Sequence, residues 1–389
     1  MIRNMIKKAG AILLAAGLSI SMTCPQVSAA TKLNQQAVKK AAKYIQPEEW
    51  NRQEIKAYQF DSMDDFDKYQ LTGGTHLYSN NYKGKDRWVK VKVVDPGIFI
   101  ISATSGDESM KVALYDETKT KLLSNNIMED DESSEAAGYV AQAKAGDVFY
   151  VKLPEKINDK VFLTPGVIKD GFTSMKDRDG YLESGKGTTV YHPFSINKRS
   201  EVALTVFAEY KNAGNGSAVI EKYVNGNWTK IGYTGTVKPR SEKDLVYGLQ
   251  KGKYRIGLNI PKGQIVSVSY TGSKVSKKVA YKKSKAKKLD ISAYNVYTQG
   301  EKAARWYKTS VTATKYKSRI FFSKDTVGGG YKFSVYKKGK KKAIKTIKVT
   351  KNNKNKKITL PKQKGTYYVR VSKLTSKTNG AYTIEDDTY

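Results

Sequence analysis

Cysteine, histidine and long apolar runs are nearly absent from this chain, and each absence excludes a class of chemistry. The only cysteine, Cys24, lies near the N-terminus. Arg3, Lys7 and Lys8 precede an apolar run at residues 9–18, too short to span a bilayer, and small residues follow at Val27-Ser28-Ala29-Ala30. This is the pattern of an export signal over residues 1–30, with cleavage expected after Ala29 or Ala30. Acylation of Cys24 would want Leu three positions earlier and a small residue just before it, but Ser21 and Thr23 stand there. A mature chain without cysteine has no disulfide, no redox thiol and no Cys-based zinc site, so each domain must be held by its own core.

Histidine is equally scarce. His76 lies in the turn-like Gly73-Gly74-Thr75-His76, and His192 precedes Pro193. Two isolated histidines supply neither a Ser-His-Asp constellation nor a His metal set, and neither His-Glu-x-x-His nor Gly-x-Ser-x-Gly occurs. No catalytic residue is nominated, and a non-enzymatic chain is expected. Residues 180–187 approach a phosphate loop, but Gly187 replaces the hydroxyl residue, so a turn is expected there. The carboxylate clusters could serve Ca²⁺, with candidate ligands Asp64, Asp65 and Asp67, Glu129, Asp130 and Asp131 with Glu132 and Glu135, and Asp177-Arg178-Asp179-Gly180. None has EF-hand spacing, and solvated loops are the competing reading.

What the chain does have is a strand written three times. Lys364-Gly365-Thr366-Tyr367-Tyr368-Val369-Arg370-Val371 echoes Ala145-Gly146-Asp147-Val148-Phe149-Tyr150-Val151-Lys152 and Lys251-Gly252-Lys253-Tyr254-Arg255-Ile256-Gly257-Leu258. Each is a Gly turn entering alternating apolar and polar residues, the signature of a half-buried strand. The glycines are 106 and 113 residues apart. Two other landmarks keep step: Trp88, Tyr191 and Trp306 at the head of one strand, and Tyr115, Tyr223 and Tyr336 near the end of another. Agreement of independent landmarks argues for structural repeats the size of a domain, arranged as beads on a string. The expected fold is therefore all-β, three tandem sandwiches at residues 69–170, 171–273 and 289–389. Ahead of them, residues 31–68 are read as a short amphipathic helix (34–45) and an acidic connector (61–67), and the Lys-rich residues 274–288 as a linker. Asn225-Gly226 marks a hairpin turn.

Arg305-Trp306-Tyr307-Lys308, a strand ending at Tyr336, Lys364 through Val371, and Gly380-Ala381-Tyr382-Thr383-Ile384 together resemble the bacterial pre-peptidase C-terminal domain. Residues 305–384 resemble it best, 86–153 more loosely and 181–270 most loosely, with Tyr191-His192-Pro193 in place of the Trp motif. The resemblance implies jelly-roll-like β-sandwiches, accessory modules of secreted enzymes, and no catalytic residues. No peptidase domain accompanies them here.

Negative charge is scarce where it matters most. Residues 276–389 hold 31 basic against 6 acidic side chains, within a chain of net charge +34. The lysines fall in turns and on polar strand positions: Lys282, Lys283, Lys285, Lys287 and Lys288, then Lys337, Lys338, Lys340, Lys341 and Lys342, then Lys354, Lys356 and Lys357. Lysine over arginine favours diffuse attraction to anions over bidentate recognition. These residues are the candidate polyanion-binding site, and the candidate partners are an anionic cell-wall polymer or an acidic polysaccharide. A solubilising surface is the competing reading. Tyrosine numbers 27 and tryptophan 4, enough for exposed rings to bind sugar, although strand packing is their commoner use. The alternative function is a carbohydrate- or protein-binding accessory acting in trans with a secreted hydrolase. No later apolar run has membrane length, and Leu360-Pro361-Lys362-Gln363 lacks the rest of a sortase signal, so the expected location is extracellular or non-covalently wall-associated.

Overall fold

The computed structural model describes residues 43–45, 54–78, 88–105, 112–126, 135–153, 161–209, 213–275, 279–313, 318–350 and 352–387. Their fold is all-β with one short α-helix. The first unit runs β1 (Lys43–Ile45), β2 (Glu54–Ala57), β3 (Gln59–Phe60), helix α1 (Met63–Tyr69), β4 (His76–Tyr78), β5 (Trp88–Val93), β6 (Gly97–Ser105), β7 (Val112–Tyr115), β8 (Leu122–Asn126), β9 (Glu135–Ala143), β10 (Val148–Lys152) and β11 (Val161–Ile168). The second holds β12 (Gly180–Ser184), β13 (Thr189–Ile196), β14 (Ser200–Ala208), β15 (Gly216–Val224), β16 (Asn227–Val237), β17 (Glu242–Leu249), β18 (Gly252–Asn259) and β19 (Ile265–Lys274). The third holds β20 (Lys287–Lys288), β21 (Ser292–Tyr297), β22 (Arg305–Val311), β23 (Arg319–Asp325), β24 (Gly330–Lys337), β25 (Lys345–Thr350), β26 (Asn355–Thr359), β27 (Gly365–Lys373) and β28 (Gly380–Asp387).

Each unit pairs a front sheet with a back sheet. The front sheets are β2-β5-β10-β7-β8, β13-β18-β15-β16 and β20-β22-β27-β24-β25, so the same four-strand path recurs in all three. The back sheets are β1-β4-β11-β6-β9, β12-β19-β14-β17 and β21-β28-β23-β26. The Gly-led strand (β10, β18, β27) does not close a sheet; it lies between two antiparallel neighbours. Its alternate residues turn inward: Phe149 and Val151, Tyr254 and Ile256, and Tyr367, Val369 and Val371 are all buried in their unit's core. Each such side chain contributes about 1.5–3 kcal/mol by leaving water, enough that a one-residue register slip is excluded.

The core of the third unit explains much of the tyrosine count. Tyr297, Tyr331 and Tyr382 are fully buried, and their hydroxyls stay satisfied. Tyr297 donates to the Val371 carbonyl at 3.0 Å, Tyr331 donates to the Gly380 carbonyl at 2.7 Å, and the Tyr307 and Tyr382 hydroxyls pair at 2.6 Å.

Several expectations do not hold in the fold. Residues 43–45 are not helical but form β1, which gains backbone partners by parallel pairing with β4. The acidic connector is helix α1: the Ser62 side chain accepts from the Asp65 amide, Asp64 and Asp65 sit in the favourable first turn, and Met63 and Phe66 are buried. The phosphate-loop lookalike begins as β12, a fully buried strand against β19, before it turns. The linker is ordered at its end, where Lys283–Lys285 form a 3₁₀ turn and β20 pairs in parallel with β22. Strands β2 and β3 also belong to the first unit's sheets, ahead of residue 69. The export signal with Cys24, residues 34–42 and the acidic residues 129–134 lie outside the described residues.

The units are also packed together rather than loosely strung. Met63 and Phe66 of α1 join Ile98, Ile100 and Ile168 of the first back sheet to Leu182 and Ile265 of the second. Val246 of the second back sheet meets Val296 and Ala381 of the third, and Gly248 approaches the Tyr297 carbonyl so closely that a β-carbon there would lie 2.2 Å from it. Arg199 crosses the same joint to Glu301 at 3.1 Å and to the Val296 carbonyl at 2.8 Å. Neither of these two apolar clusters draws a residue from a front sheet, but Tyr233 of β16, in the second front sheet, also reaches the third unit, with its ring against Gly328 and its hydroxyl 3.0 Å from that of Thr375.

On α1, burial and then the nearby Asp64 charge push the Asp67 carboxyl up to about 6. A carboxyl whose folded pKa is raised favours the protonated native state, so its contribution is lost as pH rises from about 4 through 6. Asp67→Asn removes that loss. Thermal melts should show the variant more stable than the parent at pH 7.5 and equal to it at pH 4; equal melting at both would contradict the assignment.

Candidate functional site

The front faces are built from the residues that alternate with the core. On β10, the strand that buries Phe149 and Val151 turns Tyr150 and Lys152 outward; on β27, Tyr368 and Arg370 take those places. Register sets their neighbours. Trp88 lies opposite Lys152, and Trp306 lies opposite Arg370. Tyr115 lies opposite Tyr150, and Tyr336 lies opposite Tyr368. The first and third units therefore carry the same Trp-Tyr-Tyr triad at the same three sheet positions.

The rings touch and are attended by cations. Trp88 is 5.0 Å from Tyr115 and 6.3 Å from Tyr150, and Trp306 is 5.4 Å from Tyr336. The Lys119 ammonium stands 4.4 Å from the Tyr150 ring and Lys152 stands 5.4 Å from Trp88. The Lys283 ammonium stands 5.1 Å from Tyr336 and 5.0 Å from Tyr368, held by donation to the Lys340 carbonyl at 3.2 Å.

The middle unit departs in a matched way. Tyr191 takes the Trp position, opposite Gly257, while Arg255 and Glu221 replace the two tyrosines. Tyr223, which keeps step by sequence spacing, sits two residues beyond the structurally equivalent Glu221. Arg255 bonds Glu221 at 2.7 and 2.6 Å, and its guanidinium lies 3.7 Å from Tyr191 and 4.5 Å from Trp228. This face is closed on itself by an ion pair between two rings.

The third front sheet is also free of acid. None of β20, β22, β24, β25 and β27 contains Asp or Glu. Its outward side chains include Lys308, Lys332, Lys348 and Arg370, none of which stands out in a run-based reading of the sequence because each alternates with buried residues. Strand period two and the repeat alignment were the signals that could have found them. Of the sequence candidates, Lys282, Lys285, Lys287 and Lys288 lie exposed along one margin of this sheet and Lys338, Lys340, Lys341 and Lys342 in its β24–β25 turn, bridged by Lys283; Lys337 is half-buried at the end of β24. Lys354, Lys356 and Lys357 are elsewhere, on or beside β26 at the margin of the back sheet. Arg305, which opens the Arg-Trp motif, is not surface at all: it is fully buried, bonded to Asn295 at 2.9 Å and Glu301 at 2.8 Å.

The remaining candidates separate, except that the Asp64 and Asp179 carboxyls come within hydrogen-bond reach of each other. His76 lies in β4 and His192 in β13, in different units. His192 is buried, stacked on Phe172 at 3.6 Å, with Nδ1 2.6 Å from the Phe172 carbonyl and Nε2 3.2 Å from Glu183. Asp177 accepts from the Gly272 amide at 2.7 Å and Asp179 from the Tyr181 hydroxyl at 3.1 Å. Among the described residues no group of three or more His, Cys, Asp or Glu converges as metal ligands, and no helix is long and apolar enough to cross a membrane.

No family model matches the chain, and no curated protein matches it in sequence. Among solved structures it is similar to tripeptidyl peptidase 2 at a TM-score of 0.22 and 8% identity, over 83% of this chain but 34% of that one. The tandem CBM22-1–CBM22-2 domain of Paenibacillus barcinonensis Xyn10C gives 0.22 and 9%, over 54% of this chain and 86% of that one. The tandem CBM51 modules of a family 98 glycoside hydrolase from Streptococcus pneumoniae SP3-BS71 give 0.18 and 9%, over 57% and 89%. Scores this low carry no argument about function.

The matched change in the middle unit is testable. Glu221→Tyr and Arg255→Tyr each strand a charge beside a ring, whereas the double variant restores the arrangement of the other faces. Urea unfolding should give the double variant about 1 kcal/mol more stability than the sum of the singles implies; strict additivity would contradict the pairing.

Proposed function

We propose that this chain is a secreted, non-catalytic binding protein of three tandem domains that associates with anionic cell-envelope or extracellular polymers through its third unit. The observation that carries this reading is the acid-free front sheet. Lysines from separate stretches of chain converge on it and on its margins, while the acidic side chains of the third unit's strands are Asp325 on β23 and Glu385, Asp386 and Asp387 on β28, in the back sheet. A flat surface bearing one sign of charge attracts a polymer bearing the other over a Debye length. Lys282, Lys283, Lys285, Lys287, Lys288, Lys337, Lys338, Lys340, Lys341 and Lys342 form one continuous basic margin in this reading, and Lys354, Lys356 and Lys357 extend it around the sandwich. The resemblance of residues 305–384 to pre-peptidase C-terminal modules is compatible with an accessory role beside a secreted hydrolase.

Binding of this kind releases counterions, so log Kd must rise linearly with log salt. Replacing Lys338, Lys340, Lys341 and Lys342 by Gln should lower the slope measured on inorganic polyphosphate by about 2–4. Salt-independent retention, or an unchanged slope in the variant, would contradict an electrostatic site.

A further inference from the structure

We infer that the front faces of the first and third units are two copies of one saccharide-binding subsite, whose ligand is an acidic polysaccharide. The inference rests on the polyanion reading and names the class of polymer. Its starting point is the recurrence of Trp88, Tyr115 and Tyr150 as Trp306, Tyr336 and Tyr368 at outward, half-exposed sheet positions.

A purely structural need would be common to all three sandwiches. The middle unit keeps the same front path and a complete core while replacing both tyrosines with an ion pair. The triad is therefore dispensable for the fold and retained in two places. In both, lysine ammoniums stand over the rings, and in both the strands beside the triad carry lysines outward: Lys92 on β5, next to Lys90, which is paired to Glu54 of β2 at 2.7 Å, and Lys308 on β22 and Lys332 on β24.

The geometry narrows the ligand. Trp88 stands at 78° to Tyr115 and 90° to Tyr150, and Trp306 stands at 44° to Tyr336, so in neither unit do these rings form a slot between parallel planes. A pyranose presents an apolar C–H face to such a ring while its carboxylate or phosphate substituent reaches an ammonium a few ångströms away. A polymer with no ring to stack, such as polyphosphate, would use the lysines alone. Two subsites on one chain make a long polymer bivalent, raising its avidity over that of a short fragment. The middle face differs: Arg255 already covers both Tyr191 and Trp228, and the exposed ring beside them, Tyr223, packs 5.1 Å from Trp228 with no counterpart in the other two triads.

The test uses the full chain with three probes at low, fixed salt: polygalacturonate, inorganic polyphosphate and single-stranded oligothymidylate. Trp306→Ala and Trp88→Ala should each weaken polygalacturonate about tenfold and change polyphosphate by less than about twofold. Trp306→Phe and Trp88→Phe keep a ring and should retain polygalacturonate binding, with melting curves confirming that the variants fold. Equal loss on polygalacturonate and polyphosphate, or no loss on either, overturns the stacking subsite and leaves the polyanion reading standing. Loss confined to oligothymidylate assigns the faces to nucleic acid and overturns the saccharide. A parent chain that binds no probe overturns both readings.

Discussion

Everything on the surface of this protein follows from the period-two constraint on one strand. The strand that starts at Gly146, Gly252 or Gly365 lies between two antiparallel neighbours, and its inward side chains fill the core of its unit. Shifting it by one residue would expose Phe149 and Val151, or Tyr367, Val369 and Val371, and bury charge in their place. Register is therefore fixed, and with it the identity of every outward residue. The front faces are the complement of the cores.

The joints between units reinforce this division. Most of the apolar contact between units is made by back-sheet residues such as Ile98, Leu182, Val246 and Ala381, with α1 as a wedge, and Tyr233 of the second front sheet adds a contact to Gly328 of the third unit. The back sheets thus have a core on one side and neighbours on the other, whereas the aromatic positions of the first and third front sheets are half-exposed. Charge follows the same line in the third unit, where the strands of the front sheet are wholly without acid and the acids of β23 and β28 belong to the back. The distribution is compatible with a molecule that presents one working side.

Much of the architecture was legible in the sequence, because alternation and spacing are local signals that repeat. Gly-led strands, the Asn225-Gly226 turn and the three-unit plan could all be read that way. What escaped depended on contacts between distant residues. Residues 43–45 look helical by pattern, yet pairing with β4 decides otherwise. The acidic run at 61–67 looks like solvated loop, yet Ser62 caps it and Phe66 gives it a buried face. Tyr223 keeps the spacing of Tyr115 and Tyr336, yet register puts Glu221 in their place. The candidate site was half legible for the same reason. Runs of lysine announce themselves, but Lys308, Lys332 and Lys348 are single letters that only pairing across strands brings onto one face.

The central claim is that the acid-free front sheet of the third unit is the surface that meets the polymer. Amine acetylation of the chain, with and without saturating polygalacturonate, reads this residue by residue through mass spectrometry. The account expects Lys308, Lys332 and Lys348 to lose reactivity when polymer is bound, while Lys230 and Lys253 on the self-closed middle face keep theirs. Protection confined to Lys354, Lys356 and Lys357 on the back-sheet margin, or spread evenly over all lysines, would contradict it.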